Sequence, residues 1–139
     1  MRSKSILQWF DFADTDLALA EHALSMKPQP FEIICYHCQQ AAEKYLKGYL
    51  IYKGLETPPK IHDLVVLNNR CIEYEEQFED IQDECETLTQ YGVQPRYPDE
   101  VFVDETHMNQ AINYAKRIKI FDPIVDIRKS LEQESENGI

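Results

Sequence analysis

The placement of glycine and proline constrains this chain more than any other feature. There are only four Gly and seven Pro, and apart from Gly48, which sits inside a helical pattern, and Gly138 in the polar tail they fall at Pro28–Pro30, from Gly54 to Pro59, from Gly92 to Pro98, and singly at Pro123. Proline cannot continue a helix and glycine favours its end, so these positions cut the chain into long stretches with helical periodicity. In the first, from about Ser5 to Met26, Ile6, Trp9, Phe10, Ala13, Leu17, Ala20 and Leu24 recur at three- and four-residue steps. Asp11, Asp14 and Glu21 fall on other faces. That pattern predicts an amphipathic helix.

The second stretch, from about Phe31 to Lys53, is less one-sided. Ile34, Cys38, Ala41, Tyr45, Gly48, Tyr49 and Tyr52 share one broad face, and Leu46 and Leu50 extend it. Only a narrow stripe of Gln40, Glu43, Lys44 and Lys47 is polar. A helix that is apolar around most of its girth belongs at the centre of a bundle. Ala41 and Tyr45 are expected inside, and the stripe is expected to face solvent or a second subunit. Gly54 suits the position just past this helix.

A third helix is predicted to start at His62-Asp63, with Asp63 as N-cap and Leu64, Leu67 and Cys71 inward. A fourth spans about Phe78 to Tyr91, and a fifth starts near Asp104 and carries Ala111, Tyr114, Ala115, Ile118 and Phe121. Pro123 is expected to break or kink it, leaving a polar tail that frays from about Ser130. Val101-Phe102-Val103 is too short to imply a sheet. The expected architecture is all-α, a single domain over residues 1–139 built as an up-and-down antiparallel bundle of four to five helices.

Composition narrows the function classes. With 43% hydrophobic and 28% charged residues, the chain is neither disordered nor a membrane protein. Its apolar runs, such as Ile33 to Tyr36, are far short of the ~20 residues that span a bilayer. The formal charge of -11 argues against unaided binding to nucleic acid, since no basic surplus exists to displace condensed counterions. The N-terminal segment is interrupted by Gln8, Asp11, Asp14 and Asp16 and does not read as a targeting signal, so a cytoplasmic protein is expected. Cys35, Cys38, Cys71 and Cys85 lack zinc spacing and read as small apolar fillers, and no metal or cofactor is expected. Eight carboxylates between residues 73 and 86 read as a solvated outer face or as an acidic docking surface for a basic partner. His62 reads either as closing the turn before its helix or as a ligand contact. Phosphate-loop, dinucleotide, zinc-protease and serine-hydrolase motifs are all missing.

The run from Cys38 to Leu50, CQQAAEKYLKGYL, resembles the second helix of the HEPN family, whose pattern there is QQAxEKxLKAxL. Further matches follow in order. Gly54 closes the helix, and Pro59-Lys60-Ile61-His62-Asp63-Leu64 resembles the family's HxL turn. Leu88 to Tyr91 with Arg96-Tyr97-Pro98-Asp99 resembles its LxxYYxxxRYPD segment, and Ala111 and Ala115 resemble its small-residue final helix. The resemblance implies a helical bundle, commonly a homodimer, often paired with a minimal nucleotidyltransferase in toxin–antitoxin or related modules. It also implies nucleotide binding. Many members are metal-independent ribonucleases using Arg, four to six residues, then His; here no Arg precedes His at that spacing, and Arg96 and His107 have ten residues between them. The expected function is therefore a non-catalytic or weakly active dimeric binding module. Gln40, Lys44, Lys47, His62, Arg96 and Tyr97 are its candidate nucleotide- or partner-binding residues: the cations hold phosphate, and Tyr97 stacks on a base. The alternative is a divergent ribonuclease using Arg96 with His62 or His107.

Overall fold

In a computed structural model that describes residues 2–54, 59–92 and 103–136, the chain forms six α-helices and two short 3-10 segments, with no strand among the described residues. The helices are α1 (Arg2–His22), α2 (Phe31–Tyr52), α3 (Leu64–Tyr74), α4 (Gln82–Thr89), α5 (Glu105–Lys119) and α6 (Asp122–Glu136). The all-α bundle expected from the sequence is what forms.

Helix α2 is the axis. From Ala41 to Ile51 every residue but Lys44 is buried, and Ala41 and Tyr45 are fully so. α1 packs along α2 most extensively, followed by α5 and α3. The pairing is antiparallel: Arg2 meets Ile51 and Tyr52, Asp14 meets Tyr45, and Asp16 meets His37. Arg2 donates to the carbonyls of Ile51 and Tyr52, where the last turn of α2 leaves acceptors without helical partners. Gly54 follows with φ of +127°, a backbone conformation that glycine alone adopts easily.

Gly48 lies under the Phe10 ring. A Cβ built there would sit 2.8 Å from Phe10 Cε1. The missing side chain lets α1 close on α2, and the ring cannot easily yield. It stacks on Tyr45 with centroids 6.4 Å apart and carries the Arg128 guanidinium at 5.5 Å. On the other side of the axis, Tyr49, Phe78 and Phe121 form an aromatic chain with centroid separations of 4.4 and 5.0 Å.

Two expectations need correction. The predicted helix over 78–91 is a 3-10 segment, Glu76–Ile81, leading into α4. Buried Phe78 and Ile81 are three residues apart, which suits three residues per turn. The stretch from Ser130, expected to fray, is helical as far as Glu136, as the second half of α6. Pro123 stands in its first turn, where the missing N–H forfeits no hydrogen bond. Ile124, Ile127 and Leu131 are its buried stripe.

Ion pairs fasten α6 to α1. Arg128 donates to both oxygens of Asp14, at 3.1 and 2.8 Å, and Tyr45 donates to the same carboxylate. Burial alone would raise the Asp14 pKa. Hydrogen bonds from Arg128 and Tyr45, with the charges of Arg128 and Lys119, outweigh it and hold the carboxyl below the ordinary carboxylate value.

This packing has two measurable consequences. Gly48→Ala gains about 1 kcal/mol of helix propensity but overpacks the Phe10 contact by roughly 1–3 kcal/mol or more, so urea unfolding should show a net loss. Adding Phe10→Leu should make the pair of changes less than additive. Because the folded-state Asp14 pKa is depressed, its stabilisation is present above the ordinary carboxylate pKa and fades as pH falls through the folded value. Asp14→Asn should therefore lower thermal stability at neutral pH, and its difference from wild type should vanish in acid.

Candidate functional site

A buried polar row runs along α2 where it faces the start of α3. Gln39, Glu43 and Lys47 are spaced i, i+4, i+8 and project from one side. All three are buried. Lys47 Nζ donates to Glu43 Oε2 at 3.0 Å, and Gln39 Nε2 donates to Glu43 Oε1 at 3.2 Å. Gln39 also donates to the His62 carbonyl at 3.2 Å and accepts from Gln40 Nε2 at 2.7 Å. The row ends at His62, whose Nδ1 lies 3.1 Å from Glu43 Oε2 and whose side chain is 74% exposed. An exposed imidazole is thus rooted in an interior carboxylate.

The turn that carries His62 is fixed from several directions. Asp63 caps α3, its Oδ1 accepting from Val65 N at 2.8 Å, as its sequence position predicts. Thr89 at the end of α4 accepts from Leu64 N at 2.9 Å. Gly92, just beyond α4, packs on the same network: a Cβ there would lie 3.3 Å from Gln39 Nε2. The segment 93–102 departs from Gly92, and Arg96 and Tyr97 within it lie outside the described residues.

The sequence-predicted stripe is split in two. Lys44 is one residue on from Glu43, about 100° around the helix, and pairs with Asp16 of α1. The other Asp16 oxygen lies 3.1 Å from His37 Nδ1. Lys44 and Lys47 are therefore both engaged by carboxylates within the chain, and Glu43 and Lys47 are interior groups rather than a solvent-facing edge. Removing one partner of such a pair leaves an uncompensated charge in the core.

Gln40 and His62 belong to the network, while His107 does not. It forms a capping box with Asp104: Asp104 Oδ1 accepts from His107 N at 3.0 Å, and His107 Nδ1 accepts from Asp104 N at 3.2 Å. That bond commits the ring to the start of α5. Gln39 is the member of this network that the sequence stripe does not include. Its signal was the i, i+4, i+8 spacing with Glu43 and Lys47.

The four cysteines are buried. Burial pushes the Cys35 and Cys85 thiols up to about 12, which removes them as nucleophiles at neutral pH. Among the described residues no three His, Cys, Asp or Glu side chains converge as a metal site. No described helix is long and apolar enough to cross a membrane. An open depression of about 370 Å³, lined by Leu50, Arg70, Glu73 and Tyr74, involves none of the predicted site residues.

Glu43→Ala should destabilise the fold by roughly 3–5 kcal/mol in urea unfolding, because Lys47 is left buried without its carboxylate. Replacing both partners, Glu43→Leu with Lys47→Met, should be close to neutral. His62→Ala should change stability by less than about 1 kcal/mol.

The comparisons with known proteins agree with this architecture. Two solved structures align over nearly their whole length. One is TT1696 from Thermus thermophilus, with a TM-score of 0.73 at 22% identity, covering 88% of this chain and 97% of that one. The other is ST0689, described as an archaeal HEPN homologue, with a TM-score of 0.65 at 26% identity, covering 91% of this chain and 97% of that one. No curated protein sequence matches. The sequence profile of the HEPN domain matches residues 6–121, which takes in the buried polar row, the His62 turn and all of α5. On that match, the chain belongs to the HEPN domain family.

Proposed function

We propose that this chain is a non-catalytic or weakly active, dimeric binding module that works in the cytoplasm with a minimal nucleotidyltransferase, in a toxin–antitoxin or related system, and contacts a nucleotide where His62 meets the middle of α2. Membership of the HEPN family supports the partnership by analogy. The observation that carries the location is the exposed His62 imidazole rooted in the buried Glu43–Lys47 pair, with Gly92 packed beside it.

In this reading the labour divides differently from a simple cation stripe. Lys44 and Lys47 hold carboxylates and support the site. Arg96 supplies the phosphate contact, since a guanidinium matches phosphate oxygens in pairs. Tyr97 stacks on the base, and Gln40 and His62 add polar contacts. A net charge of -11 disfavours a long nucleic-acid backbone and leaves a small anion, held locally, as the better ligand.

Calorimetric titration with ATP should give measurable heat, and Arg96→Ala should weaken binding about tenfold or more, the scale of one lost charged hydrogen bond. No heat at millimolar nucleotide would remove the nucleotide from the proposal. Co-expression with a minimal nucleotidyltransferase should yield a complex that survives gel filtration. The chain alone should scatter light as a dimer at micromolar concentration; a monomer there refutes that part.

A further inference from the structure

The polar row does more than fasten a turn. The backbone at His62 is already held by Gln39 Nε2 on the His62 carbonyl at 3.2 Å, and the next residue is held by the α3 cap. The contact from His62 Nδ1 to Glu43 Oε2, 3.1 Å, adds little to that anchoring, because the ring it secures is 74% exposed and packs in no core. What it does fix is the ring's orientation and proton.

Glu43 is flanked by the Lys47 ammonium at 3.0 Å and the Gln39 amide at 3.2 Å. Both are donors, so Glu43 is held as a carboxylate that accepts from every side. A carboxylate offers Nδ1 nothing but an acceptor, so Nδ1 must carry the hydrogen. Which imidazole nitrogen keeps its proton is set by the bond the other makes. In the neutral ring, Nε2 is then left with its lone pair directed away from Glu43. Gln39, Glu43 and Lys47 thus act on a ligand through His62 and are positioning residues.

We infer that this set holds the neutral His62 ring as an outward-facing hydrogen-bond acceptor, so that the ligand group it receives in that state is a donor, a sugar hydroxyl or a base amino group, and not a phosphate oxygen. The identity of the ligand as a nucleotide rests on the function proposed above; the state of the ring does not. A phosphate oxygen is itself an acceptor and gains nothing from a second lone pair.

The ring can be tested without any ligand. Long-range proton–nitrogen correlation spectra of the nitrogen-15-labelled full chain report the tautomer directly, at a pH where the imidazole signals no longer move with added base. The expected result is a single form with the proton on Nδ1. In the Glu43→Leu, Lys47→Met variant, checked for retained helix content and cooperative melting, the His62 signals should shift towards a mixture or the Nε2–H form. A wild-type ring already protonated on Nε2, or a mixture of forms, overturns the inference.

Ligand selectivity tests the second half. ATP is compared with 2′,3′-dideoxy-ATP, which lacks both ribose hydroxyls, and with purine riboside triphosphate, which lacks the amino group. One of the two analogues should bind wild type about tenfold more weakly than ATP, and the same analogue should bind His62→Ala as well as ATP does. Which analogue responds identifies the donor. If His62→Ala weakens all three nucleotides equally, His62 is reading phosphate and the inference fails. If no nucleotide binds wild type, the nucleotide proposal falls, while the tautomer measurement still decides the state of the ring.

Discussion

The fold depends on how closely α1 approaches α2. At Gly48 the Phe10 ring rests on bare helix backbone, and that one contact sets the spacing of the two longest packed elements. With the helices this close, short side chains on α1 reach across. Asp14 meets Tyr45, and Asp16 meets both Lys44 and His37. Arg128 of α6 then lands on Asp14 and lies over Phe10, so the last described helix is secured by the same contact that joins the first two. Widening the gap by one methyl group would strain an aromatic ring, two ion pairs and a buried hydroxyl together.

A second theme is charge placed where a hydrophobic residue would pack more cheaply. Glu43 and Lys47 are almost wholly buried, as is Gln39. Such groups add little net stability over apolar replacements of similar size. What they do supply is registry. Rotating α2 by one residue would turn the row some 100° towards other parts of the core, leaving Glu43 and Lys47 without partners. The same row delivers a defined imidazole to the surface, so the polar core and the candidate site share one set of side chains.

Much of this was legible beforehand, for identifiable reasons. The central position of α2 follows from its wide apolar girth, and Asp63 announces α3 because few residue types can satisfy the free N–H groups of a first turn. The end of the chain was misread because Pro123 signals an ending as readily as a beginning. The deciding feature was the Ile124, Ile127 and Leu131 stripe beyond it. The site was half legible. Gln40, Glu43, Lys47 and His62 stand together, but one-dimensional reading assigned Lys44 to the same edge and could not see that Asp16 waits for it on α1. His107 is a candidate acid–base group by residue type, whereas Asp104 three residues back engages it as the N3 partner of a capping box. Arg96 and Tyr97 lie outside the described residues, so the part proposed for them rests on the family resemblance and not on geometry.

The burial of all four thiols bears on how this molecule ages. Oxidants and alkylating agents attack the thiolate, and here the sulfur atoms are both screened from water and reluctant to ionise. Damage must wait until helices part, so its pace is scaled down by how rarely the bundle opens.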